Sequence, residues 1–266
     1  MMLNSMGESS EKPTRAVEDY VKAIYMLAER GAAVTTTALA GHVQVTPSSV
    51  SAMLARLRAM GLVSHRPYSE ASLTEQGLRL AMQVIRRRRI IELYLVTCLG
   101  YGWEEVEGEA EVLEHAAPDL LVERMAAKLG DPRVDPHGDP IPGQDGRIDS
   151  PPSCLLSTLE PGSTGTLVRV WNGDPEVLRY LDSCGVELGD RIEVLGREPF
   201  GGSMVVRVGE PKEGRVHGFG YGLAEVLSIE LGLCADTAGQ QGQMRSPGDI
   251  APALIPPATG AGRGWR

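Results

Sequence analysis

Nowhere in this chain do about eighteen apolar residues run uninterrupted, so no segment reads as a helix built to cross a bilayer. The N-terminal stretch MMLNSMGESSEKPTR has no apolar core and does not read as a secretion signal. Four cysteines (Cys98, Cys154, Cys184 and Cys234) lie far apart without CxxC spacing. They read as reduced, mostly buried thiols rather than a zinc knuckle or a disulfide frame. No Ser-His-Asp, Cys-His or Walker pattern stands out, and there is no internal repeat. These absences predict a cytoplasmic protein with no membrane partner and no catalytic residues.

A further absence is local. Between Glu29 and Glu70 there is not one carboxylate, while Arg30, Arg56, Arg58 and Arg66 all fall there. The whole chain is acidic, net −9. Lys/Arg against Asp/Glu stand at seven to seven over residues 1–75, nine to fourteen over 76–150 and ten to fourteen over 151–266. A surface that faces phosphates must exclude carboxylates even on an acidic protein. The N-terminal quarter is therefore the candidate nucleic-acid reader.

What is present there supports that reading. Residues 16–30 carry apolar side chains at helical spacing up to Gly31. Thr35, Thr36 and Thr37 offer hydroxyls to open a short helix, and Gly41 to Val45 breaks it. Thr46-Pro47 opens the next helix, with threonine as cap and proline in the first position. Residues 62–74 alternate around Pro67-Tyr68-Ser69 as a hairpin. Helix, short helix, turn, helix, hairpin is the layout of a winged helix-turn-helix. Its DNA-facing residues would be Thr36, Thr37, Thr46, Ser48, Ser49, Ser51, Arg56 and, on the wing, Arg66. The alternative is a helical domain with a serine-rich cap.

With 266 residues and 42% hydrophobic content, two or three packed domains are expected. The predicted class is mainly α with a small β domain. It comprises a flexible N-terminus (1–14), the winged helix-turn-helix (15–75), a helical metal-binding and dimerisation domain (76–130), a Pro/Gly-rich linker (131–153), an SH3-like barrel (154–231) and a disordered tail (232–266). Residues 74–99 form one long helix carrying four consecutive arginines, Arg86 to Arg89. Four neighbours on a helix cannot all point one way, so at least one must meet another element and need a carboxylate. Residues 131–153 read as a connector rather than a packed element. GFGYG (218–222) reads as a β-turn, and His137 and His217 as structural or surface histidines.

The candidate chemistry lies in WEEVEGEAEVLEH, which sets Glu107, Glu111, Glu114 and His115 along one helical face. Stacked carboxylates repel, and a divalent cation would relieve the repulsion. Two oxygens and an imidazole within one turn suit Mn²⁺ or Fe²⁺ better than a structural zinc. The competing interpretation is an acidic, solvated helix. A metallohydrolase, a protein-interaction adaptor and a regulator that has lost part of its metal control are the other functions compatible with these elements. Apolar residues at 106, 110, 112, 113, 120, 121 and 125 exceed what one small helical domain would bury, which predicts a homodimer.

Several runs together, EDYVKAIYMLAE, TPSSVSAMLARLRAMGLV, the ExxEH helix and DPHGDPIP, resemble the diphtheria-toxin-repressor family of iron- and manganese-dependent repressors. The resemblance covers residues 16–231 in order, and the C-terminal part resembles the ferrous-iron-transport A module. It implies a dimeric repressor that binds a palindromic operator when Mn²⁺ or Fe²⁺ is bound, in control of metal homeostasis. The family's main metal site falls on Asp19, Glu111, Glu114 and His115, and carboxylates at Asp19 and Glu111 resemble its manganese-responsive branch. That branch's second carboxylate on the first helix is replaced by Lys22. The family's ancillary site falls on Arg88, Glu92 and Glu107, with Asp174 and Glu176 supplied from the SH3-like domain. An arginine cannot shed its proton to bind a metal. The expectation is therefore an Arg88–Glu107 ion pair, one strong metal site per chain and no ion where Arg88 stands.

Overall fold

The fold comes from a computed structural model that describes residues 13–65, 69–171 and 174–232. The first helix, α1 (Arg15–Glu29), turns Val17, Tyr20, Val21, Ile24 and Tyr25 inward at the predicted spacing. Helix α2 (Thr36–His42) is capped by Thr35, whose Oγ1 accepts from the Ala38 N–H. Helix α3 (Pro47–Ala59) is capped by Thr46, with Pro47 in the first turn and Val50, Leu54 and Leu57 buried. Strands β1 (Val63–Ser64) and β2 (Ser72–Leu73) pair antiparallel, Val63 opposite Leu73, and form the hairpin.

Helix α4 (Glu75–Leu99) follows at once. A Cβ on Gly77 would lie 2.0 Å from the Leu62 carbonyl oxygen, so only glycine lets this helix start so close to the hairpin. The chain divides into two compact units within α4, the first reaching Val84 and the second starting at Ile85.

In the second unit, the rest of α4 packs with α5 (Val106–Ala116) and α6 (Asp119–Lys128) around Ile90, Ile91, Leu95, Val106, Ala110, Val122 and Ala126. Val106 and Ala110 are therefore spent in this internal core and are not free for a dimer contact. Val112, Leu120 and Leu121 do stay exposed, at 60%, 66% and 44%.

The β domain has β3 (Cys154–Leu155), β4 (Thr164–Val170), α7 (Pro175–Cys184), β5 (Arg191–Arg197), β6 (Met204–Val208), β7 (Arg215–Phe219), α8 (Tyr221–Ala224) and β8 (Leu227–Leu231). The six strands run β3-β8-β4-β5-β6-β7, with every neighbouring pair antiparallel. Inward residues alternate, as in Met204, Val206 and Val208, and pack with Leu178, Leu181 and Phe219. This is the helical reader and helical middle domain followed by a small β domain that the sequence predicts.

Three expectations need correction. GFGYG is not a β-turn: Gly218 and Phe219 end β7, and Tyr221 and Gly222 begin α8. Among the described residues the cysteines are not mostly buried, since Cys98 is exposed and Cys154 and Cys184 are half-buried, all three free.

The third correction concerns the linker, which is packed along residues 135–142. Asp135, His137, Gly138, Pro140, Ile141 and Pro142 are all buried. The Val170 N–H donates to the His137 carbonyl, and Arg89 donates to the Pro140 carbonyl at 2.5 Å. A Cβ on Gly138, at φ +83°, would lie 2.0 Å from the Val168 carbonyl oxygen. Its Pro, Gly and Asp content serves a tight, buried path rather than a loose one. His137 is buried, which selects the structural one of the two alternatives expected for it. The predicted disordered tail from residue 233 and the wing residue Arg66 lie outside the described residues.

Candidate metal centre and nucleic-acid interface

The reader surface is built by the start of α3. Thr46, Ser48, Ser49, Ser51 and Arg56 are exposed there, and no acidic residue stands in the first turn. Thr46 Oγ1 accepts from the Ser49 N–H and lies 2.9 Å from both the Ser48 and Ser49 hydroxyls. Ser51 donates back to the Pro47 carbonyl at 3.0 Å. Small, mutually bonded hydroxyls allow a close approach, and a helix N-terminus favours an anion. Thr37 on α2 is exposed and Thr36 half-buried.

The four arginines of α4 prove to be a hub in which every member has a partner. Arg86 pairs with Glu123 at 3.2 Å and donates to the Pro142 carbonyl. That bond, outweighing burial, holds the Glu123 carboxyl below its ordinary range. Arg87 donates to the Glu114 carbonyl at 3.0 Å and to Asp119 at 3.1 Å. Arg89, nearly buried, faces Asp135 and Asp139 at 3.7 and 3.8 Å.

Arg88 binds carboxylates only. Its Nε donates to Glu92 at 2.8 Å, Nη2 to Glu107 at 3.2 Å and Nη1 to Glu111 at 2.6 Å. Burial opposes its charge, but Glu92, Glu114, Glu107 and Glu111 outweigh burial and push the guanidinium above its ordinary range.

Helix α5 sets the expected ligands side by side. Glu111, Glu114 and His115 each bring one ligand atom within 4.8 Å of the others. Glu114 is fully buried, and His115 Nε2 lies 3.1 Å from Glu114 Oε1. Two hard oxygens and one imidazole converging in this way fit Mn²⁺ or Fe²⁺. Asp19 stands on α1 in the first unit, with Arg15 one turn before it at 3.8 Å. Lys22, where a second carboxylate was absent, is buried on the same helix.

The expected ancillary set divides in two. Glu92 and Glu107 are ion-paired to Arg88, as the sequence predicts for Glu107. Asp174 and Glu176 instead line an open cavity of about 360 Å³ with Val177, Tyr180, Gly220, Gly222 and Leu223. Asp174 also caps α7, its carboxylate accepting from the Glu176 N–H.

Sequence reasoning missed a second cluster. Glu92, Asp135 and His137 bring ligand atoms within 4.8 Å of one another, and all three are buried. His137 Nε2 lies 2.8 Å from the Trp103 carbonyl. As donor there, the ring leaves Nδ1 its lone pair. Asp135 Oδ1 accepts from the His137 and Asp139 N–H groups, and burial together with neighbouring Asp139 and Glu92 raises its carboxyl well above the ordinary range. The only sequence signal was the DPHGD run, where Asp135 and His137 stand two apart.

A winged reader of nucleic acid joined to a helical domain with carboxylate–imidazole metal donors defines a metal-responsive transcription regulator. Residues 12–71 match the iron dependent repressor N-terminal DNA binding domain, 74–143 the iron dependent repressor metal binding and dimerisation domain, and 154–230 the FeoA domain. The iron-dependent repressor IdeR of Mycobacterium tuberculosis (strain ATCC 25618 / H37Rv) is 30% identical over 201 residues, 71% of this chain and 87% of that protein. The diphtheria toxin repressor of Corynebacterium glutamicum is 29% identical over 192 residues, 68% of this chain and 84% of that protein. A solved manganese-dependent transcriptional repressor in complex with manganese aligns at TM-score 0.76 and 41% identity, covering 80% of this chain and 98% of that one. The chain belongs to the iron-dependent, diphtheria-toxin repressor family of metal-dependent transcription regulators.

Proposed function

We propose that this protein is a cytoplasmic repressor that binds a palindromic DNA operator as a homodimer when Mn²⁺ or Fe²⁺ fills a site made by Asp19, Glu111, Glu114 and His115. The observation that carries it is the convergence of Glu111, Glu114 and His115 on one face of α5, Glu114 fully buried and the other two half-buried. The ion would supply positive charge that holds these carboxylates together. Asp19, on the helix that opens the reader domain, would make that domain responsive to the ion. A ligand that contacts two domains biases one conformation over others.

The solved manganese-dependent repressor supports manganese, and IdeR supports iron. Val112, Leu120 and Leu121, left exposed on α5 and α6, support a twofold contact. Two readers held on a twofold axis fit two half-sites. Operator binding measured with and without Mn²⁺ or Fe²⁺ at fixed salt is the test. Metal should strengthen binding, and Asp19→Ala or His115→Ala should remove the response. Equal binding with and without metal would disprove the proposal.

A further inference from the structure

Arg88 shares its carboxylates with the candidate metal centre. Its Nη1 donates to Glu111 Oε2 at 2.6 Å and stands 3.8 Å from Glu114 Oε2. The other arms hold Glu92 at 2.8 Å and Glu107 at 3.2 Å. Four carboxylates thus surround one cation whose own side chain is 18% exposed, while Glu114 is fully buried. A divalent ion taken up by Glu111, Glu114 and His115 would have to draw on the same glutamates. We propose that Arg88 is a built-in counter-cation that competes with the metal ion for Glu111 and Glu114, and so sets the metal concentration at which the centre fills.

This inference rests on the metal-binding reading of Glu111, Glu114 and His115. Its sign follows from a comparison of two effects. Arg88 orients the glutamates in advance, which favours metal, but fixing a glutamate side chain is worth only about tenfold in affinity. Repulsion between a guanidinium and a divalent ion a few ångströms apart outweighs that, even at the effective dielectric of a partly wet site. Arg88 need not be left alone when an ion arrives, because Glu92 and Glu107 still hold two of its arms. The competition is therefore graded, a shift in threshold rather than a block. Without metal, the same guanidinium keeps the four carboxylates from repelling one another. The metal-free domain should depend on it.

The test is calorimetric titration of the metal-free, full-length protein with Mn²⁺, together with thermal melts of the same samples with and without metal. Arg88→Gln should bind Mn²⁺ at least about tenfold more tightly than the parent, a lower bound for repulsion weakened by the dielectric of a partly wet site. Its metal-free form should melt below the parent, and Mn²⁺ should raise its Tm by more. Arg88→Lys, which keeps the charge but not the three-armed reach, should fall between. Should Arg88→Gln not fold, Arg88→Gln/Glu107→Gln removes one carboxylate with the cation and should still bind more tightly than the parent. A folded variant that binds with parental affinity or more weakly overturns the proposal, as does a tightening that survives His115→Ala, which would place the ion elsewhere. A parent chain that binds no Mn²⁺ overturns the metal reading itself, an outcome distinct from either.

Discussion

The arginines of α3 and those of α4 are the same side chain in opposite surroundings. Arg56 and Arg58 end α3 exposed, in a stretch of sequence without one carboxylate. Arg86 to Arg89 are half-buried or buried, and each is bonded to carboxylates, carbonyls or both. The longer and denser run is thus the one that does not offer its charge to solvent. A basic run signals a nucleic-acid surface only where nothing inside the protein has claimed the charge. The four-arginine run is internal wiring: it joins α4 to α5, α6 and the packed linker.

Breaking the α4 hub at its most buried point should have the largest effect. Arg89→Ala leaves Asp135 and the Pro140 carbonyl without their cation, and Asp139 with Arg169 alone. Removing one partner of a buried ionic group costs about 3 kcal/mol or more, which chemical denaturation would read directly. A loss under about 1 kcal/mol would put Arg89 among ordinary surface charges.

Arg87→Ala should cost less, about 1–2 kcal/mol, because it removes a bond to the Glu114 carbonyl and one to an exposed Asp119. Arg56→Ala sharpens the contrast from the other side. Stability should stay within about 0.5 kcal/mol, while operator binding weakens and its log–log salt slope falls by about one phosphate contact. Filter binding over a salt series measures this, and an unchanged slope would remove Arg56 from the interface.

The smallest effect concerns pH. Because Arg86 holds the Glu123 carboxyl below its ordinary range, the pair's contribution is present above that range. It is lost as pH falls through the depressed value. Arg86→Gln should flatten this acid limb of the stability curve, and an identical limb in the variant would show that the pair does not act on stability.

The reader domain was largely legible from sequence. Its helices are short and local, their caps at Thr35 and Thr46 act within three residues, and apolar spacing assigns their buried faces. The candidate donors on α5 were legible for the same reason, since residues three, four and one apart on a helix share a face. The expected pair of Arg88 with Glu107 followed from the family resemblance, which sets both at one site where opposite charges make sense together.

Other features had no local signature. Residues 131–153 have the composition of a loose connector, yet Asp135 to Pro142 run buried against α4 and β4. Proline and glycine restrict or free the backbone in the same way whether the chain is packed or solvated, so composition cannot tell the two apart.

Sequence by itself determined the order of elements, the family, the hydroxylic face of α3 and three donors on one turn of α5. Only the tertiary structure decided that His137 meets Glu92 across forty-five positions, and that Arg88 gathers four glutamates from two helices. Helical periodicity reports which way a side chain points, and what it meets there is settled by contacts between residues far apart in the chain.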